Sequence, residues 1–311
     1  MKIKQGEYSM GVLATGLSYL LWGVLPIYWK SVGSVPAGEV LAHRIIWSLV
    51  FMLLILLLLG KLKTVTAEMK YVFTHKKQAI SMILASVLIS VNWLVFIFAV
   101  ESDRVVEASL GYYINPLLNV FLATFFLKER LNKAEWISVA IAAGGVLCLT
   151  IYYGSIPWAA LTLAATFGFY GLIKKKVAIG AWTGLTIETL IMTPFALVFL
   201  LFFDHSSVSL WDRDISVILL LMGAGVVTAI PLLLFAAGAK RISFTLVGFL
   251  QYIAPTIMLL LGLFLFHEPF SLPQLLAFLL IWIALLIFTF SRSREMLQRR
   301  KSESKLGIQK M

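Results

Sequence analysis

Ten apolar stretches, each about as long as a membrane-crossing helix, follow one another along this chain and leave few alternatives for its fold. They run over residues 10–29, 37–59, 79–100, 105–127, 134–153, 156–173, 181–203, 215–236, 243–266 and 272–290, give or take a few residues. About 20 apolar residues cross the hydrocarbon core of a bilayer as a helix. At that depth only a helix or a closed barrel satisfies its own backbone. Leu53 to Leu59 and Leu259 to Phe266 are apolar on every face, which suits lipid better than water. The chain is 60% hydrophobic and 13% charged, against about 45–50% and about 25% in soluble domains. One cysteine, Cys148, excludes an internal disulfide framework. No cleavable signal is expected, because the first apolar run carries Trp22 and Pro26 and no small-residue cleavage site follows it.

Loop charge sets the expected orientation. With a cytoplasmic N-terminus, 22 of the 26 Lys and Arg fall inside, including Lys61 to Lys77, Lys174 to Lys176 and the tail after Phe290. The positive-inside rule then puts both termini in the cytoplasm. The net charge of +11 is read as this topology signal near anionic lipid, not as a nucleic-acid footprint.

A duplicated segment runs through this pattern. Tyr113, Ile114, Pro116 and Glu129 recur as Tyr252, Ile253, Pro255 and Glu268, every match at an offset of 139 residues. The helix starts repeat at the same offset. Asn132 and Glu135 open the fifth span, Ser271 and Gln274 the tenth, both spaced as capping boxes. Five spans separate the copies, and an odd number inverts the second relative to the first. The expected fold is therefore an all-α membrane protein of ten transmembrane helices in two inverted five-helix repeats, an architecture common in secondary transporters. Residues 1–153 form the first repeat, 154–290 the second, and 291–311 a basic cytoplasmic tail.

Polar residues at membrane depth are few, and each has a functional and a packing reading. Arg44 lies about eight residues into the second span, beside His43. A lone Arg costs at least about 2.5–3.5 kcal/mol at the bilayer centre, so it should face the bundle or a watery cavity. It either binds an anionic group of a substrate or pairs internally. Glu188, at the corresponding place in the seventh span, is its natural partner. His43, Glu107 and Glu188 are the candidates for proton coupling. Glu107, Gly111, Asn115 and Asn119 recur every four residues along the fourth span, with Tyr112 near that face. This stripe either lines a path or bonds neighbouring helices, with Glu107 pairing with Arg104. Asn92 and Trp93 in the third span, and Tyr252 in the ninth, complete the candidate substrate-binding set. Pro116 and Pro255 would place kinks at matching points, as gates or as fixed bends. Gly144 and Gly145, with Gly223 and Gly225, read as close helix packing.

Enzymatic readings lack their parts. Glu39 and His43 share a helix face, but there is no His-Glu-x-x-His, no P-loop and no Gly-x-Ser-x-Gly elbow. No metal or cofactor is expected. A non-transporting membrane protein, such as an assembly factor or sensor, is the alternative, but no loop exceeds about 20 residues to hold a soluble domain.

The runs SVNWLVFIFAV, VEASLGYYINPLLNV, FLKERL and LAHRIIWS resemble the RarD-type members of the EamA transporters, within the drug/metabolite transporter superfamily. The resemblance covers roughly residues 8–290. It implies ten helices in two inverted repeats, an inner-membrane location, and transport, most readily export, of small metabolites or drugs. It carries over no catalytic motif and no substrate.

Overall fold

The structure is a computed structural model that describes residues 5–33, 35–127, 132–153, 156–177, 179–202, 214–239, 241–242 and 250–308. Every regular element among them is helical: α1 (Gln5–Val32), α2 (Ala37–Leu58), α3 (Leu62–Thr74), α4 (Lys76–Glu101), α5 (Val105–Leu127), α6 (Lys133–Tyr153), α7 (Trp158–Lys176), α8 (Ala181–Phe202), α9 (Ile215–Ala239), α10 (Ile253–Leu260) and α11 (Leu272–Ile308). Among the described residues, seven helices are long and apolar enough to cross a membrane, with two shorter apolar ones at Trp158–Lys174 and Ile253–Leu265. Glu129, His205 and Leu246 lie outside the described residues, as do the side chains of Pro116 and Asn119.

The chain divides into two compact units. One holds residues 1–112 and 159–268, the other 113–158 and 269–311.

In the first unit α2 runs against α8 and α9, and α1 against α9 and α10. The α2–α8 pair is antiparallel. Gly38 at the start of α2 faces the Phe199 ring near the end of α8. Ala42 then shares a buried cluster with Ala196, and Met52 shares another with Leu185. Gly225 brings α9 onto α2. Any Cβ there would collide with the backbone of Trp47, so the two helices touch only because the residue is glycine. Gly223 is also a contact point, beneath the Tyr28 hydroxyl.

Three local features depart from a plain run of spans. Residues 62–74, part of the loop between the second and third spans, form α3. Its Val65 and Val72 are buried on one face with Met69 beside them, while Lys63 and Lys70 are exposed, as a 3.6-residue period dictates. The helix through Leu250 breaks at Tyr252, three residues before Pro255. Proline has no N–H to bond the carbonyl four residues back, so a break there is the expected consequence. After Leu260 the chain widens into a π turn, Leu261–Leu265. It closes with His267 in the left-handed region (φ 52°) and the Glu268 N–H on the Gly262 carbonyl at 2.9 Å.

In the second unit α6 lies along α11. Gly145 faces the Ala277 carbonyl, whereas Gly144 meets nothing within 4 Å and so is no contact point among the described residues. Tyr113 packs edge-on against Phe278 and Trp282. Both capping boxes form. Asn132 Oδ1 accepts from the Glu135 N–H at 3.0 Å and Glu135 Oε2 from the Asn132 N–H at 2.9 Å. Gln274 Oε1 accepts from the Ser271 N–H at 2.7 Å, and the return bond from the Gln274 N–H to Ser271 Oγ is longer, 3.4 Å. The tail continues the helix of α11 as far as Ile308.

Candidate functional site

The first unit holds a partly open cavity between its helices. Its lining comes from α1, α2, α4, α5, α7, α9 and α10, with Gln251 from just before α10. Most of the wall is apolar or aromatic. Among the described lining residues Arg44 is the one charged side chain, accompanied by Asn92, Tyr112 and Gln251.

Arg44 is 3% exposed. Its Cζ lies over the rings of Trp93, at 4.2 Å from the centroid, and Trp29, at 5.1 Å. Nε and Nη1 are buried and have no hydrogen-bond partner among the described residues. The Trp29 indole N–H is in the same state. Taking one ion out of water costs several kcal/mol even after relaxation. Each cation–π contact returns about 2 kcal/mol when desolvated. The rings therefore offset much of the burial, but a π face leaves the guanidinium's in-plane donors without acceptors.

Asn92 is fixed on the cavity wall. Its Nδ2 donates to the Leu163 carbonyl at 3.0 Å and to Thr166 Oγ1 at 2.9 Å, on α7. Its Oδ1 accepts from the Tyr112 hydroxyl at 3.3 Å. Both amide donors are thus used to hold the side chain, and the hydroxyl of Tyr112 keeps its acceptor lone pairs for another group. Arg44, Asn92, Trp93 and Tyr112, four residues singled out in the sequence on three different spans, meet at this one cavity.

The other candidates lie elsewhere. Glu188 does not meet Arg44. It is 3% exposed and accepts from Lys174 Nζ at 2.7 Å and the Tyr170 hydroxyl at 3.2 Å. The antiparallel pairing explains this. The contacts between α2 and α8 set Glu188 level with a point five or six residues beyond Arg44, about 8 Å further along α2 at 1.5 Å per residue. Glu107 bonds Arg104 at 2.5 Å. Its Oε1 accepts from the N–H of Ala159 at 3.1 Å and of Ala160 at 3.4 Å, capping the first turn of α7. Gly111, one turn on, faces the Ala160 carbonyl, so this side of α5 is a helix contact. Asn115 is fully buried in the second unit. His43, 7% exposed, stands 3.9 Å from Glu39. Tyr252 marks the helix break, and its neighbour Gln251 takes the place on the cavity wall.

Sequence reasoning passed over three residues. Trp29, in the last turn of α1, reads as an ordinary interfacial tryptophan. Lys174 reads as one of a basic loop run, although only 14 residues separate it from Glu188 across a short connection. Glu268 reads in the sequence only as a repeat of Glu129. Its carboxylate accepts from the N–H groups of Val105 at 2.8 Å and Val106 at 2.9 Å, capping α5. The repeated glutamate was the signal available for it.

Comparison with known proteins places this chain in a family. The model of the EamA-like transporter family matches residues 9–151 and again 155–290. The chain is 49% identical to the "Uncharacterized transporter YojE" of Bacillus subtilis over 292 residues, 93% of this chain and 97% of the relative. It is 41% identical to "Protein RarD" of Escherichia coli over 283 residues, 91% of this chain and 94% of that one. A solved crystal structure at 22% identity covers 90% of this chain and 97% of its own, with a TM-score of 0.60, and is alike in fold alone. The chain belongs to the EamA-like transporter family, as a RarD-type membrane transporter of the drug/metabolite kind.

Proposed function

We propose that the protein is a secondary transporter that carries small metabolites or drugs across the cytoplasmic membrane by alternating access, in the direction of export. One observation carries the reading: a buried cation with open donors faces an aromatic cavity inside a bundle of membrane-length helices. A polar group kept at that depth without an internal acceptor is costly, and a substrate that supplies the acceptor explains its place. Ten spanning helices in two inverted repeats, with both termini cytoplasmic, are the topology proposed to move around this site. Arg44, Asn92, Trp93 and Tyr112 would hold the solute. Glu188, bonded to Lys174 at a different level, would be the carboxylate through which a proton gradient acts, if one drives the cycle.

The purified full-length protein, reconstituted in liposomes, should move labelled solute from a panel of organic acids, amino acids, nucleosides and antibiotics under an imposed gradient. Failure to move any of them above protein-free vesicles sinks the reading. A reporter fused after Met311 should be cytoplasmic, and a periplasmic one overturns the topology.

A further inference from the structure

We propose that the cavity is a site for a small organic anion with a flat apolar body, its carboxylate on Arg44 and its body against the aromatic wall. The assignment rests on the transporter reading and names the substrate class for it.

The charge of the site is one-sided. Among the described lining residues one side chain is ionised, and it is a cation. An ammonium group entering the cavity would meet that like charge and no carboxylate. A neutral solute would leave the donors of Arg44 half-satisfied. A carboxylate is the small group whose oxygens accept from two guanidinium N–H groups at once. Nε and Nη1, which belong to different in-plane edges of the guanidinium, both lack an acceptor among the described residues. The Cζ atom sits over Trp93 and Trp29, so these rings take the faces of the charge and leave its edges to the ligand.

The neighbouring carboxylates are already used. Glu188 is taken by Lys174 and Tyr170, and Glu107 by Arg104 and the start of α7. Glu39 stands beside His43. None of these three lines the cavity. The body of the ligand is specified by Trp22, Trp93, Phe96 and Phe167, which offer mainly ring faces and edges, with the two indole N–H groups as their polar points. Sugars and other polyhydroxylated anions would lose hydroxyl hydration against this wall.

The test uses the full-length protein in detergent and four probes: phenylacetate, phenylacetamide, phenethylamine and acetate. Binding is read by tryptophan fluorescence and by ligand-induced thermal stabilisation. Phenylacetate should bind saturably, at least about tenfold more tightly than each of the other three, the increment of one charge-assisted pair or one buried ring. Arg44→Lys should weaken phenylacetate at least about tenfold, because a point charge replaces the planar fork. Equal or tighter binding of the amine or the amide overturns the proposal, as does unchanged phenylacetate affinity in Arg44→Lys. Comparison of the four probes on the unaltered protein needs no variant to fold. Liposome flux separates the two readings. Transport of cations or neutral solutes only would remove the anion assignment and leave a transporter. Tight phenylacetate binding with no flux of any solute would keep the site and remove the transport reading.

Discussion

Arg44 and Glu188 hold the same register, each the eighth residue of its helix, and both are buried to within 3% of their surface. Their surroundings are opposite. Glu188 has an ammonium at 2.7 Å and a hydroxyl at 3.2 Å. Arg44 has two indole rings and open donors. A buried charge with its partners in place is part of the fold, and removing a partner leaves the fold to carry the loss. A buried charge lacking an acceptor contributes little to the fold, and its loss should be felt by whatever enters to complete it.

The largest expected effect is therefore on the paired charge. Lys174→Met strands Glu188 in a buried place. Breaking such a pair costs about 3–5 kcal/mol, and the 27% exposure of Lys174 puts this case at the lower end, about 3 kcal/mol. The melting temperature in detergent should fall clearly, and Lys174→Met combined with Glu188→Leu should restore most of it. A single variant as stable as the parent would show that the pair does not hold α7 to α8.

Arg44→Gln should show the reverse. Transport of an accepted solute should fall about 30-fold, or about 2 kcal/mol for a lost charge-assisted pair. The melting temperature should stay level or rise, since a desolvated cation is gone. Cavity walls that collapse, seen as a large drop in melting temperature with normal transport in the residual folded protein, would make Arg44 a structural residue and erase the contrast.

Glu268 tests whether satisfied carboxylates in general behave like Glu188. Both its oxygens accept backbone N–H groups at the start of α5. Glu268→Gln keeps the shape, loses the charge and turns an NH2 toward one of those donors. A loss of about 1.5 kcal/mol in stability is expected, from one charge-assisted bond and the helix dipole. Affinity for solute, measured on the folded fraction, should not change.

Which parts of this were legible follows from distance along the chain. The capping boxes were readable because Asn132 with Glu135, and Ser271 with Gln274, are three residues apart and need no tertiary information. The apolar lengths gave the helices for the same reason, and α3 was missed because a 13-residue amphipathic helix has no spanning length. The cavity was half readable. Membrane-depth polarity picked out Arg44, Asn92, Trp93 and Tyr112, but Trp29 is identifiable only once the packing of α1 and α2 on α9 brings its ring to the Arg44 guanidinium. The Arg44–Glu188 pairing failed on depth. Equal register in two antiparallel helices places side chains at different heights, an argument available only when the contacts of Gly38 with Phe199 and of Met52 near Leu185 fix the alignment.

The finest distinction concerns two tyrosines, one beside each charge. Tyr170 donates to Glu188 at 3.2 Å and Tyr112 to Asn92 at 3.3 Å, on the wall that Arg44 shares. Each Phe variant removes one hydroxyl and keeps the ring. In Tyr170→Phe the carboxylate loses a donor but keeps Lys174, so stability should drop by about 1 kcal/mol with transport kinetics unchanged. In Tyr112→Phe the bond is long and its acceptor neutral, so stability should drop by about 0.5 kcal/mol or less. Its effect belongs to the solute, because Tyr112 lines the cavity. The KM for an accepted anion should rise about two- to threefold while kcat holds, as uniform loss of binding requires. If the two variants instead trade signatures, with Tyr112→Phe unstable and Tyr170→Phe impaired in transport, the working site lies around Glu188 and the division between paired and open charge has been drawn the wrong way round.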